Sequence, residues 1–411
     1  MQFVFAANLI SMVGSGMNAA AVAWFVLQAT GSEIALGKLT VMMSLPAMIL
    51  MPFSGVIIDR EDRRRLVMWL DALRELVILA VALLAFHQRV QVWQLYVMNM
   101  LVSAGFWMFW PTITALIQEL ATDSEYVQAN TFLMVGVQGG WLIAGAIVGF
   151  VYEKVGLGGV LLIDFATYVV SFLCYFAVRR GKHIVPRPSE LKADILAAET
   201  AAERFLRELR EGMHLLAKQP SLMLLGVCWA LFLGAMLTSY VVTPPLSDHV
   251  FHAGAVGYGW LNGGWGLGAF ISGIFAANML KRLGPRVSTA VSMLVLAAGM
   301  YCAPFAPVLA VAVLLYGIMG MARGLSGVAM NTAIMERVPK HFMGRVMNTF
   351  NFAGTFLQVI LSLTTGAVAH RYGLVYGFVA IGSAYLLAFL FATWSARSGA
   401  SEPLPIGGFS N

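Results

Sequence analysis

The chain has 411 residues, of which 59% are apolar and only 11% charged, against about 25% charged in an ordinary globular protein. With a mean hydropathy of +0.79, a length that would otherwise divide into two or three soluble domains is excluded from that class and reads as an all-α polytopic membrane protein. A net charge of +6 would suggest a nucleic-acid-binding face in a soluble chain, but the basic residues here lie in alternate loops between apolar runs, so no nucleic acid partner is expected.

The first apolar run extends from Met1 to about Ala29, too long for a signal-peptide core and without a small-residue cleavage site, so it is expected to stay in the protein. Further runs follow at 34–58, 66–87, 91–118, 127–152 and 157–178. Residues 180–200, with Pro186 and Pro188 among polar groups, read as a linker. After it, Leu206, Leu209, Met213 and Leu216 recur at helical spacing with arginines on other faces, the pattern of an amphipathic interfacial helix. Apolar runs resume at 221–246, 255–280, 287–306, 308–335, 346–369 and 374–395, and a Gly-, Ser- and Pro-containing tail reads as disordered. Twelve spans of about 20 residues need about 240 residues, which the chain accommodates. The expected organisation is a six-helix bundle at 1–179, a cytoplasmic linker at 180–219, a second six-helix bundle at 220–396 and a tail at 397–411.

Placing both termini in the cytoplasm puts four Lys and Arg at 60–65, nine at 179–218, three at 281–286, three at 337–345 and Arg397 on that side, leaving only Arg89, Lys154 and Arg371 outside. This asymmetry sets the orientation. Cys174, Cys228 and Cys302 lie in or beside apolar segments with no metal-ligand spacing, so neither a disulfide framework nor a metal site is expected. The two halves repeat: Asn130-Thr131-Phe132 returns as Asn348-Thr349-Phe350 and Gly55 as Gly273, while Val155-Gly156 is matched by Tyr372-Gly373. Parallel repeats of this kind are a transporter architecture with the substrate site near midplane between them.

The loop after the second span reads Gly55-Val-Ile-Ile-Asp59-Arg60-Glu61-Asp62-Arg63-Arg64-Arg65. It resembles the cytoplasmic signature G-x-x-x-D-R-x-x-R-R/K of the major facilitator superfamily; the second copy, from Gly273 to Arg286, has Ala277 in place of the aspartate. Glu336-Arg337-Val338-Pro339 with Gly344-Arg345-Val346-Met347, and Gly14-Ser15-Gly16-Met17 with the stretch Trp24 to Ser32, resemble the macrolide-efflux and enterobactin-exporter branch. The resemblance covers about residues 10–395 and implies twelve transmembrane helices in two parallel six-helix repeats, the major facilitator fold. It further implies a gating role for Gly55, Asp59, Arg60, Arg63, Arg64, Gly344 and Arg345. Two departures bear on coupling: Ala146 stands where drug antiporters of this superfamily often carry proline, and Ser15 where some relatives carry an acid.

Charged residues inside the spans are the local signals of mechanism, because an Arg at a helix centre costs about 2.5–3.5 kcal/mol on insertion scales. Arg323 sits mid-span between Gly320 and Gly324, which leave room for it; it reads either as a substrate or proton site or as half of a structural ion pair, with Asp164 and the third-span carboxylates as available partners. Asp164 is either a protonatable carboxylate or a helix-to-helix hydrogen-bonding group. Asp71, Arg74 and Glu75 have the i,i+3 and i,i+4 spacing of a self-compensating cluster, and Lys38 is placed to snorkel. Trp107, Trp110, Trp260 and Trp265 could line an aromatic cavity or face lipid and core. Gly145-x3-Gly149, Gly259-x3-Gly263 and Gly264-x3-Gly268 suit close helix packing and are given no substrate role.

These readings converge on a secondary transporter in the bacterial inner membrane. It is expected to be monomeric and cofactor-free, exporting a hydrophobic or amphipathic small molecule of drug or siderophore type by alternating access, with protons as the coupling ion. A lipid or lysolipid translocator of the same fold is the alternative. A membrane-embedded enzyme is the different-class rival, but the sequence holds no H-E-x-x-H, G-x-S-x-G or phosphate-binding G-x-x-x-x-G-K-[ST], and His249 and His252 lie together in an outer loop without a nearby cysteine.

Overall fold

A computed structural model describes residues 2–60, 62–120, 126–177, 201–338 and 342–398. The long elements are helices: α1 (Gln2–Thr30), α2 (Glu33–Arg60), α3 (Arg63–Phe86), α4 (Val92–Leu120), α5 (Tyr126–Ala177), α6 (Ala201–Ala217), α7 (Pro220–Pro245), α8 (Gly254–Cys302), α9 (Leu309–Met335), α10 (Met343–Tyr372) and α11 (Leu374–Ser398). Sequences apolar on every side leave lipid as the surroundings, and in lipid each backbone N–H and C=O must be satisfied within its own helix.

Among the described residues, nine helices are long and apolar enough to cross a membrane. Two of these, α5 and α8, are bent double at Gly156 (φ 65°) and Gly284 (φ 75°). A positive φ that glycine adopts without strain lets one residue replace a loop, and Pro285 follows the second bend. The helix α3 is missing from those nine because Asp71, Arg74 and Glu75 fall in every window long enough to span. With α3 and the two bent pairs, the architecture is consistent with twelve spans and is an all-α polytopic bundle. The repeat found in sequence recurs in geometry: Gly373, the counterpart of Gly156, also has a positive φ, of 105°.

In the N-terminal part α1 packs along α5, α2 along α4, and α3 against α4 and α5; in the C-terminal part α7 packs on α10 and α11, and α8 on α9 and α11. The two parts meet where α5 crosses α8 and α2 crosses α10. The end of the bundle that carries Arg63–Arg65 and α6 is the basic end, and Glu33, Gly156 and Gly254 mark the opposite end.

The amphipathic helix forms as its periodicity predicts, but its apolar residues are divided between two surroundings. Leu206 and Met213 are exposed, whereas Phe205 and Leu216 are buried. Phe205 meets Phe352 of α10 edge-on at 5.8 Å, so α6 is docked on the bundle as well as presented to its surroundings. The linker expected at 180–200 and all but the first two residues of the tail expected at 397–411 lie outside the described residues.

Candidate functional site: two arginines inside the bundle and a closed end

The three-residue spacing of Asp71 and Arg74 puts them on one face of α3, where they form an ion pair with both side chains 1% exposed. Ser171 donates to the second Asp71 oxygen at 3.0 Å. Arg74 Nη1 donates to the Tyr168 hydroxyl at 3.2 Å and Nε to the Leu70 carbonyl at 3.2 Å. Its guanidinium also lies 4.7 Å from the Tyr168 ring centroid and 5.0 Å from that of Phe109. Gly105 makes this possible, since a Cβ there would stand 2.8 Å from Arg74 Cδ.

Asp164 joins the same network. It is 0% exposed, accepts from Asn18 Nδ2 at 2.6 Å and acts electrostatically on Arg74. Tyr168, one turn further, shares a 2.8 Å hydrogen bond with Ser15, so the second arm of α5 is tied to α1 at two levels. One oxygen of Asp164 and one of Glu75 are enclosed without a hydrogen-bond partner. Three carboxylates therefore surround one guanidinium among the described residues. Sequence spacing brought out the α3 trio, but not Asn18, Tyr168 and Ser171, whose contribution depends on helix rotation.

Arg323 stands apart from this network. Its Nε points to Met236 Sδ on α7 at 3.1 Å, and the phenols of Tyr240 and Tyr385 are its electrostatic neighbours. Asp164 and the third-span carboxylates, expected as available partners, belong to Arg74 instead. The flanking glycines also have a different task. A Cβ at Gly320 would strike the Trp265 carbonyl and one at Gly324 the Ser272 side chain, so both glycines press α9 onto α8 and leave no room for Arg323, which leaves by another face.

Glycine spacing also builds the junction between the two parts. A Cβ at Gly145 would lie 2.9 Å from Gly263 N, and one at Gly149 2.6 Å from Val256 Cα. On the other side of the bundle, a Cβ at Gly37 would lie 2.6 Å from the Ser362 carbonyl and one at Gly366 2.7 Å from that of Glu33. Trp24 stacks on Tyr258 across the junction at 6.2 Å. All of these contacts lie in the half of the molecule away from the basic end. There the Glu33 carboxylate, 8% exposed, meets His370 Nδ1 at 3.3 Å and His249 Nδ1 at 3.8 Å, joining α2 to the C-terminal part. The sequence signalled this latch only through His249 in a loop.

Glu33→Gln keeps the hydrogen-bonding shape but removes the charge. With spin labels at Gln91→Cys and Val308→Cys in a background lacking the three native cysteines, the distance distribution is expected to shift toward longer separations. An unchanged distribution would show that the carboxylate does not hold this end.

At the basic end, Arg63 Nη1 donates to the Ala115 carbonyl at 3.1 Å and Arg64 Nε to that of Tyr175 at 2.9 Å. Tyr175 lies in the last turn of α5, where carbonyls are unsatisfied and the dipole is negative, and Ala115 lies in the last two turns of α4. Arg345 pairs with Glu211 of α6 at 2.9 Å and, with Arg207, Arg210 and Lys218, lines a cavity of about 420 Å³; Gly344 lies beside it in the first turn of α10. Gly55, Asp59 and Arg60 fall in the last turns of α2, and their side chains lie outside the described residues.

Of the four tryptophans singled out as cavity candidates, Trp107 meets Phe106 edge-on at 6.3 Å, and Trp110 packs beside the cluster that holds Phe109 and Tyr175. Trp265 lies 6.1 Å from the Tyr316 ring. Trp260 is 47% exposed and meets Phe150 edge-on at 6.0 Å.

The family model described as a transmembrane secretion effector matches residues 1–402. The chain belongs to this family of major facilitator transporters. It is 19% identical to macrolide efflux protein A of Streptococcus pyogenes, covering 92% of each chain. It is 23% identical to the multidrug efflux pump Tap of Mycolicibacterium fortuitum, covering 95% of this chain and 94% of the pump. Among solved structures, a bacterial homologue of the iron transporter ferroportin in its inward-facing state superposes with a TM-score of 0.75 at 16% identity, over 96% of this chain and 98% of that one. The outward-facing state of a bacterial ferroportin homologue gives 0.63 at 15% identity, over 96% and 99%. These likenesses establish the fold, and the efflux relatives are transporters.

Proposed function

We propose that this protein is a proton-coupled exporter that moves a hydrophobic or amphipathic small molecule across the bacterial inner membrane by alternating access. Its parts are two six-helix halves acting as a monomer, with the basic end in the cytoplasm as the positive-inside rule requires. The glycine junction and the Glu33 latch then close the outer end. The better superposition on an inward-facing relative, 0.75 against 0.63, supports the same state, and the efflux relatives support the direction of transport.

The observation that carries proton coupling is the charge balance around Arg74. Three acidic side chains, Asp71, Glu75 and Asp164, stand with one guanidinium inside a bundle whose surroundings are lipid. With Arg74 paired to Asp71, the fully buried Asp164 and the half-buried Glu75 are left without a directly paired cation, and an uncompensated buried charge costs several kcal/mol, so the network holds a proton in at least one state of the cycle. Asp164 is the exchanging group in this reading, because Arg74 is paired directly with Asp71, whereas Asp164 is held by the neutral amide of Asn18 and feels Arg74 without an ion-pair contact. Asn18 belongs to α1, so gain or loss of the proton alters the hold of one helix on another. A proton moving inward gains about 2.3 kcal/mol per 100 mV, equivalent to about 50-fold accumulation of cargo.

The test uses proteoliposomes buffered at about pH 6 inside and pH 7.5 outside, with an entrapped pH dye. The cargoes offered are dansylglycine, its methyl ester and dansylcholine, three amphipaths on one apolar body. At least one is expected to enter in exchange for protons. Asp164→Asn should abolish the proton movement while leaving cargo exchange at symmetric pH. Proton-coupled flux at the original rate in that variant would remove Asp164 from the coupling path, and cargo movement without protons in the unmodified protein would end the coupled reading.

A further inference from the structure

Both halves place one guanidinium inside the bundle, and their surroundings differ in one decisive respect. Arg74 is neutralised by Asp71 and bonded to Tyr168 and Leu70. Arg323 occupies the position that the internal repeat aligns with Gly105, the residue whose missing side chain makes room for Arg74. Among the described residues it has no carboxylate partner. A thioether sulfur is a weak acceptor, so Met236 does not substitute for an anion, and the Tyr240 and Tyr385 phenols are neutral dipoles.

Around it a partly accessible face meets a buried wall, in which Tyr385 and Tyr316 are fully enclosed. Met236 and Tyr240 are one helical turn apart on α7 and both are partly accessible, as is Arg323 opposite them on α9. Two turns further along the same faces, the Tyr316 hydroxyl meets Thr243 Oγ1 at 3.1 Å, and Trp265 packs beside Tyr316. A partly accessible guanidinium thus lies beside a sulfur and phenols, with the Trp265 indole two turns along the same cleft of helices, the complement of a molecule with an anionic group and an apolar or aromatic body.

We infer that the C-terminal half binds the negatively charged group of the cargo through Arg323, so that the transported compound is an amphipathic anion or zwitterion bearing a carboxylate, phosphate or sulfonate. This rests on the reading of the protein as a small-molecule transporter and narrows its cargo. The guanidinium left without an anion in the empty carrier is compensated when cargo binds, and its planar fork takes two oxygens of one acid group. A permanent cation on the same body meets repulsion at this position.

Equilibrium binding tests the inference separately from flux. The protein in phosphatidylcholine nanodiscs is titrated with dansylglycine, its methyl ester and dansylcholine, with empty nanodiscs subtracted. Dansylglycine is expected to bind saturably, with the ester and the cation at least about ten-fold weaker. Arg323→Gln should remove this preference, whereas Arg323→Lys should retain it with reduced affinity, because charge survives and the fork does not. Arg323→Met provides a control for folding: removal of an unpaired charge should leave the unfolding midpoint unchanged or raise it. Equal binding of acid and ester, absence of saturable acid binding, or a preference that persists in Arg323→Gln each overturns the inference. Proton-driven uptake of the ester alone would leave the transport reading standing while overturning this one, and acid binding without any flux would do the reverse.

Discussion

Arg74→Met is expected to destabilise the protein by about 3–5 kcal/mol, the range found when one member of a buried ion pair is removed and the other is left behind. The reason lies in what remains. Asp71, 0% exposed, would keep only the Ser171 hydroxyl, and Asp164 and Glu75 would lose the one positive charge in their neighbourhood. Methionine fills much of the volume beside Gly105 and can still touch the Phe109 and Tyr168 rings, so the loss is chiefly electrostatic. Asp71→Asn combined with Arg74→Met should therefore recover a large part of the stability, because neither a charge nor its partner is stranded. Equilibrium unfolding in mixed micelles measures both variants. A single variant within about 1 kcal/mol of the original protein, less than the smallest cost of stranding a buried charge, would mean that the network is neutral without Arg74. The contrast with Arg323→Met, expected to be neutral or stabilising, is the sharper comparison: two arginines inside one fold, one fully buried in an ion pair and one partly accessible without a carboxylate partner among the described residues.

Gly149→Leu should nearly abolish transport while leaving the protein folded. A Cβ at this position would lie 2.6 Å from Val256 Cα and equally close to the Ala255 carbonyl. These are backbone atoms, which cannot rotate away as a long side chain would, so α5 and α8 must separate. Because this contact closes the end opposite the basic loops, the cost falls on one state of the cycle and not on the others. Flux in proteoliposomes is expected to fall by about ten-fold or more, since a carrier that cannot close one gate cannot complete its cycle. The spin-label pair at Gln91→Cys and Val308→Cys should report a wider separation. Gly139→Ala serves as the control, for a Cβ there meets only the end of the Leu9 side chain at 3.7 Å. Transport at the original rate in Gly149→Leu would show that this junction is not a gate.

The class of the protein, its succession of apolar helices and the sites of its turns follow from local properties that sequence carries directly. Hydropathy averaged over about 20 residues marks a span whatever its neighbours are, and the glycines of the repeat, Gly156 and Gly373, mark turns because only backbone freedom is required there. The Asp71, Arg74 and Glu75 cluster is legible for the same reason, since i,i+3 and i,i+4 spacing fixes a shared helix face. The small-residue spacing of Gly145 and Gly149 announces a close contact, although only the fold identifies Ala255, Val256 and Gly263 as its other side.

Tertiary structure alone decides which charges meet. Asp164 and Arg323 are similar signals in sequence, each a lone ionisable group in an apolar run, and the two are of opposite charge. Rotation of the helices about their axes turns Asp164 toward Arg74 and Asn18, and turns Arg323 toward Met236 and the tyrosines of its own C-terminal half. The glycines beside Arg323 mislead for a related reason: spacing reveals a thin helix face but not which neighbour presses on it, and α8 takes that face. Glu33, His249 and His370 are brought together from three distant segments by the packing of α2 on both α7 and α10. Sequence periodicity specifies which residues share a face; the angle and register at which two helices pack specify what that face meets, because this depends on the summed fit of all side chains along both.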